Sequence, residues 1–128
     1  MEGFYQESGR AGRDRGNAIS VTYYSTSDKE KKEFLMRQEH EKQKRTSNGA
    51  TTGIDRVYEA TQASFQSLVD MCAKAKCRRR AILVFFDEKP SFSEAKGCGN
   101  CDYCSNPEKV KRLINQFTGS TRSRRYNW

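Results

Sequence analysis

The clearest apolar rhythm in the chain lies between residues 54 and 72. Ile54, Val57, Tyr58, Thr61, Phe65, Leu68, Val69 and Cys72 recur at intervals of three and four, the spacing of one helix face. From about Asp28 to Lys44 the chain is densely charged, and Phe34, Leu35 and Met36 supply only a narrow apolar stripe. Ser27 with Glu30 three residues on has the form of a capping box, so a helix is predicted here too. Thr46 to Gly53, between the two, is a loop by composition. Ala18 to Tyr24 alternates and is rich in β-branched and aromatic residues, which predicts a short strand. The run Ala81 to Phe86 fits a helix or a buried strand equally well, and Pro90 with Ser91-Phe92-Ser93 ends it. Pro107 stands where a helix can begin, with Val110, Leu113, Ile114 and Phe117 on one side. Met1 to Gly16 is polar and glycine-punctuated, and the basic tail from Gly119 to Trp128 is expected to fray.

Composition complicates this helical picture. Leu, Ile, Val and Phe make up 20 of 128 residues, and the net charge is +8. So few strong apolar residues with so much charge is the signature of disorder. The same numbers argue against a membrane protein, since no apolar run approaches about 18 residues. They also argue against a large self-contained enzyme, because so thin a core cannot hold a wide cleft rigid. No secretory leader is expected, since Met1-Glu2-Gly3 opens no positive and then apolar segment. Positive charge favours a polyanionic partner such as nucleic acid, the plainer alternative being a solvated basic surface.

Five cysteines resist the disorder reading. The number is odd, so complete pairing into disulfides is impossible, and a reducing compartment with a metal site is expected. Cys98, Cys101 and Cys104 form a C-x2-C-x2-C run, with Gly97 and Gly99 to ease the turn. Four thiolates enclose a zinc ion tetrahedrally. An iron–sulfur cluster accepts the same run, as do three incidental cysteines, but the spacing favours zinc. Cys77, which starts an element, is the better fourth ligand. Cys72 continues the apolar helix face, where a cysteine behaves as a small hydrophobe. Arg78, Arg79, Arg80 and Lys96 stand beside the proposed ligands and would offset the net −2 of a four-thiolate zinc site. His40, the single histidine, is expected on a solvated surface.

The opening string Tyr5-Gln6-Glu7-Ser8-Gly9-Arg10-Ala11-Gly12-Arg13-Asp14 is a glycine-rich loop with two arginines three apart. If helical from Gly9, it sets both guanidinium groups on one side, an arrangement suited to phosphate. This string resembles the last helicase motif of the RecQ family of superfamily-two DNA helicases, QESGRAGRD. Ala18 to Tyr24, Ser25 and Asp28 resemble the strand and helix start that follow it in the family. Cys77-Arg78-Arg79-Arg80, an apolar run, and then Cys98, Cys101 and Cys104 resemble the family's zinc-binding subdomain. The likeness runs from about Phe4 to Cys104.

The resemblance implies a mainly α chain with a short β segment. Residues 1–27 would end the second RecA-like lobe, 28–117 would form the helical zinc-binding subdomain, and 118–128 a basic, flexible tail. It implies that the run after Cys77 is helical, and that helices 28–44 and 54–75 form a hairpin beside the zinc. Gln6 would lie at the nucleotide cleft. Arg10 and Arg13 would reach the ATP phosphates, Arg13 as arginine finger and Arg10 in support. Cys77, Cys98, Cys101 and Cys104 would hold zinc. By charge rather than by the resemblance, Arg78, Arg79, Arg80, Lys109, Lys111, Arg112 and the tail arginines could contact DNA phosphates. The activity implied is ATP-dependent 3′-to-5′ DNA unwinding in a nucleus or a bacterial cytoplasm, with DNA and the missing N-terminal helicase lobe as partners.

Departures from the family pattern bear on this. The 128 residues contain no G-x-x-x-x-G-K-[ST] loop to grip phosphates, so ATP and Mg2+ belong only to a longer helicase and hydrolysis by this chain alone is not expected. Arg15-Gly16 stands where the family has glycine directly after Asp14. Phe86-Asp87-Glu88 stands where the family has Phe-Gly-Glu. The stretch from Cys77 to Cys98 is somewhat long, so Pro90 to Lys96 is expected to bulge. Nothing after Cys104 is long enough for a winged helix. The competing function class is a non-enzymatic, zinc-stabilised module that binds nucleic acid or protein. In either class Tyr126 and Trp128 could stack on bases, while Arg122, Arg124 and Arg125 are too sparse to read as a nuclear signal.

Overall fold

The computed structural model describes residues 1–47, 49 and 51–124, with side chains as far as Thr118. Arg125, Tyr126 and Trp128 lie outside the described residues. Among the described residues six helices follow one another: α1 (Glu2–Ser8), α2 (Thr26–Thr46), α3 (Thr52–Ala73), α4 (Arg78–Phe85), α5 (Asp102–Ser105) and α6 (Pro107–Arg124). None is long and apolar enough to cross a membrane. The chain divides into two units, Met1–Val69 and Asp70–Trp128, and the division falls inside α3. Buried apolar residues among those described are few: Met1, Val69, Met71, Cys77 and Val110.

In the first unit, α1 is tied down by the Met1 amino group, which donates to Ser64 Oγ at 3.0 Å. The helix stops at Ser8, and Arg10 and Arg13 follow in turns. The segment is the glycine-rich loop expected, and the condition under which the two arginines would share a helical face is not met. Gly12 takes φ +72 and Arg15 takes φ +63. These left-handed values break the helix, because only glycine adopts them freely.

The segment expected as a strand, Ala18 to Tyr24, carries no strand, helix or turn. The described residues form no strand at all. A strand is held by hydrogen bonds to a neighbour, and no backbone pairing of residues 17–23 is found among the described residues. β-propensity without a backbone partner leaves residues 18–23 open to solvent.

The cap of α2 is Ser25, two residues ahead of the expected Ser27. Ser25 Oγ accepts the Asp28 N–H at 3.1 Å and donates to Asp28 Oδ2 at 2.6 Å. Both serines have an acid three residues on, and the shorter Asp28 side chain closes the ring. Such caps contribute about 1 kcal/mol. The hairpin of α2 with the first part of α3 is fastened near its loop by Asp55. Its Oδ1 takes Lys44 Nζ at 2.8 Å and His40 Nε2 at 2.7 Å. The His40 ring lies flat on Tyr58, centroids 4.0 Å apart. His40 is thus a packed residue with 12% of its side chain exposed, not the solvated one expected. The sequence places it on a charged helix, and only the fold brings Asp55 and Tyr58 against it.

In the second unit, α4 settles the ambiguous run as a helix. It ends in a left-handed cap: Glu88 N–H reaches Leu83 O at 2.8 Å and Asp87 N–H reaches Val84 O at 3.1 Å, with Asp87 at φ +58. This is the double bond of a Schellman ending. Helix α6 starts at Pro107 as expected, and Asn106 Oδ1 caps the Lys109 N–H at 3.0 Å. Its backbone stays helical to Arg124.

Candidate metal centre

The four cysteines come from the start of α4, from α5 and from the turn before it, where Cys98 lies. Cys77 is the N-cap of α4, and Cys101 is the N-cap of the short α5. Both caps use sulfur in place of the usual oxygen: Cys77 Sγ accepts Arg80 N–H and Cys101 Sγ accepts Cys104 N–H, each at 3.4 Å. Capping therefore aims the sulfurs while it starts the helices.

The sulfurs of Cys77, Cys98, Cys101 and Cys104 all lie within 4.8 Å of one another. Cys101 and Cys77 are 4.0 Å apart. Tetrahedral zinc with bonds of ~2.3 Å sets its sulfurs roughly 3.8 Å apart, so a small contraction suffices. Each sulfur also accepts one backbone N–H. Cys98 Sγ takes Cys101 N–H at 3.4 Å and Cys104 Sγ takes Cys98 N–H at 3.3 Å. Amide donors aimed at sulfur favour the thiolate, the form that binds metal.

Two glycines make the turn. Gly97 is at φ +61 and Gly99 at φ +67. A Cβ on Gly97 would stand 2.5 Å from Cys104 Sγ, whereas one on Gly99 would meet nothing within 4 Å. Gly97 is needed for space and conformation, Gly99 for conformation alone.

Charge completes the argument. Burial raises the Cys104 thiol to about 12, and the neighbouring sulfurs add to it against the Cys98 amide. Burial also works upward on Cys98, but the amides of Asn100 and Cys101 and the sulfurs of Cys101 and Cys77 outweigh it and bring it to about 7. Four sulfurs this close cannot all be charged unless a cation sits among them. The donor set fits zinc: four soft ligands, tetrahedral spacing and a complete outer ring of amides. Cys72 stays on α3 outside the cluster, its thiol pushed up by burial against the lowering charge of Arg78.

Arg78 is the main brace of the site. Its Nε and Nη2 donate to both oxygens of Asp102, at 2.9 and 3.1 Å. Its Nη1 donates to Lys74 O at 2.8 Å and to Met71 O. One guanidinium therefore joins the end of α3, the residue after Cys77 and the residue after Cys101. Those bonds hold the Asp102 carboxyl below the usual range, against the pull of burial. Asp102 escaped the sequence reading. Its only signal was an acid directly after a metal-type cysteine.

The other expected site residues are placed as follows. Arg80 Nη2 donates to Phe92 O at 3.3 Å, and its guanidinium lies 5.9 Å from the Phe92 ring centroid, which fastens the Pro90 to Lys96 stretch. Arg79 is exposed. Gln6 is exposed on α1, Arg10 pairs with Glu7 at 3.1 Å, and Arg13 is exposed in the turn after α1.

Comparison with known proteins agrees with this geometry. The family described as RecQ zinc-binding matches residues 26–105. The chain is 37% identical over 122 residues to the ATP-dependent DNA helicase Q5 of Mus musculus, covering 94% of this chain and 11% of that protein. It is 31% identical over 106 residues to the ATP-dependent DNA helicase RecQ of Bacillus subtilis, covering 83% and 15%. With the ATP-dependent helicase SGS1 of Saccharomyces cerevisiae it shares 29% identity over 112 residues, covering 86% and 7%. The chain thus spans only about a tenth of the length of such relatives.

Proposed function

The chain belongs to the RecQ zinc-binding family, and from that premise we propose that it is the zinc-braced C-terminal part of a RecQ-like, ATP-dependent 3′-to-5′ DNA helicase. The observation that carries this is the convergence of four sulfurs, each with its own amide donor, within the matched residues. Cys77, Cys98, Cys101 and Cys104 hold a structural zinc ion. The zinc joins α4 to α5 and substitutes for apolar core. Residues 1–27 end a RecA-like lobe, 28–117 form the zinc-binding subdomain and 118–128 a basic tail.

Gln6 and the two arginines face a nucleotide held by the lobe that precedes them. Arg13 acts as arginine finger, a group worth about 10³–10⁵ in rate, and Arg10, already paired with Glu7, supports it. Of the three arginines after Cys77, Arg79 carries the DNA phosphate contact, because Arg78 and Arg80 are engaged within the fold. The proposed compartment is the nucleus, with a bacterial cytoplasm as the alternative, since the relatives come from both eukaryotes and a bacterium.

Native mass spectrometry should find one zinc per chain. Chelation should lower the far-ultraviolet helical signal and the melting temperature together; unchanged melting would sink the zinc reading. DNA affinity should fall steeply with salt, and Arg79→Ala should flatten that slope by about one. A second reading is a zinc-stabilised binding module without ATP chemistry, supported by the four-sulfur cluster and the net charge of +8. It is favoured if the chain fails to restore ATP hydrolysis to a separately supplied lobe that carries one.

A further inference from the structure

Six hydroxyl residues of the chain have an acid three positions on: Ser25, Ser27, Thr52, Ser67, Ser91 and Ser105. That is the spacing an acid-directed protein kinase reads, and the fold separates the six. Ser25 caps α2, Ser27 lies inside it, Thr52 and Ser67 lie in α3, and Ser105 ends α5. Ser67 Oγ also donates to the Ala63 carbonyl at 3.0 Å, a common fate of a helical serine. A kinase takes its substrate as an extended segment, which a helix does not offer. Ser91 alone of the six is neither in a helix nor capping one. It is exposed in the stretch between α4 and α5, where no backbone pairing of residues 89–92 is found among the described residues. Its hydroxyl has no partner among them either, whereas Ser93 Oγ is engaged by the Lys96 N–H at 3.3 Å.

We propose that Ser91 is a phosphorylation site for an acid-directed serine kinase, and that Arg80 receives the phosphate. Glu94 supplies the acid, and Asp87 and Glu88 add to it upstream. The γ-phosphoryl group of ATP passes to Ser91 Oγ, the hydroxyl proton is released and ADP leaves. A neutral side chain thereby gains a charge of about −2. Arg80 is already drawn to this stretch. Its Nη2 donates to Phe92 O at 3.3 Å, and its guanidinium lies 5.9 Å from the Phe92 ring centroid, so it rests on the residue directly after Ser91. A bond from guanidinium to phosphate is roughly twice as strong as one to a neutral carbonyl, so the phosphate takes Arg80 from Phe92 O. The Arg80 N–H meanwhile donates to Cys77 Sγ at 3.4 Å. One residue thus ties the phosphorylated stretch to the first cysteine of the cluster, and phosphorylation orders that stretch.

The test treats the zinc-loaded full chain with a purified acid-directed serine kinase and ATP, maps the product by mass spectrometry and titrates it by phosphorus NMR. The expected product carries phosphate on Ser91, and Ser91→Ala takes up none there. Glu94→Lys should slow the reaction at least about tenfold, since it sets a like charge against the kinase's basic subsite. The phosphoserine should titrate below its usual value of about 6, because a guanidinium beside it favours the dianion. Arg80→Gln should return it to that value with the helical signal unchanged. Either of two results overturns the proposal: a kinase that leaves Ser91 bare, or a phosphate on Ser91 whose titration ignores Arg80→Gln.

Discussion

Single residues carry constraints here that larger features hide. Gly97 is the sharpest. With its Cβ position 2.5 Å from Cys104 Sγ, Gly97→Ala should cut metal affinity at least about tenfold, by analogy with other outer-shell losses, while Gly99→Ala should do less; competition with a chromogenic chelator measures both. Two other positions matter because they are not glycine. Arg15 and Asp87 are the left-handed non-glycine residues among those described, and they are the two places where the sequence departs from a family glycine. Asp87→Gly should therefore raise stability by roughly 0.5 kcal/mol, read as a higher denaturation midpoint at unchanged slope. Asp102 adds a pH dependence. Arg78 lowers its folded pKa, so its contribution is complete above the ordinary value of 3.8 and is lost as pH falls through the lower folded value. Asp102→Asn should flatten the acid limb of a melting-temperature profile below about pH 4.

At the scale of elements, legibility followed the range of the interactions. The α3 pattern was readable because its face repeats within the helix itself. The start of α6 was readable because Pro107 and Asn106 are adjacent to what they cap. The strand expected over Ala18 to Tyr24 is not formed, for the opposite reason: the local preference is real, but its fulfilment needs a partner that the described residues do not provide. His40 was misread because Asp55 and Tyr58, 15 and 18 positions away, decide its surroundings. The brace between Arg78 and Asp102 spans 24 residues and was equally invisible. It supports a direct prediction. Arg78→Ala should lower zinc affinity with little change in α6 helicity, and Arg78→Lys should rescue it poorly, since a point charge cannot serve both Asp102 oxygens and the α3 carbonyls at once. An exposed pair alone is worth under about 1 kcal/mol, so a larger effect would reveal the bracing role.

For the whole molecule, the composition correctly announced a thin core. The five buried apolar residues among those described cannot offset the chain's conformational entropy, which costs about 1–2 kcal/mol per ordered residue. Zinc supplies what is missing, with apparent binding energies of ~10–16 kcal/mol in small zinc peptides. Chelation should thus unfold the second unit, and hydrogen exchange should show its amides losing protection together. The hairpin of the first unit depends on Asp55 instead. Its carboxyl is held low chiefly by Lys44, with His40 adding, so acid rather than chelator should loosen it. Which stretch responds to which reagent is the check.

The amide bonds around the sulfurs have one more consequence. Cys98 donates to Cys104, Cys104 to Cys101, and Cys101 back to Cys98. The three form a closed circuit within seven residues, while Cys77 must arrive across a separation of 21 positions and draws its amide from Arg80. Short loops close at less entropic cost than long ones. Loop closure thus predicts that the triplet gathers first and Cys77 last, with release in reverse. Cys77→Ser should keep weak, fast-exchanging cobalt binding, whereas Cys101→Ser, which opens the circuit, should abolish it.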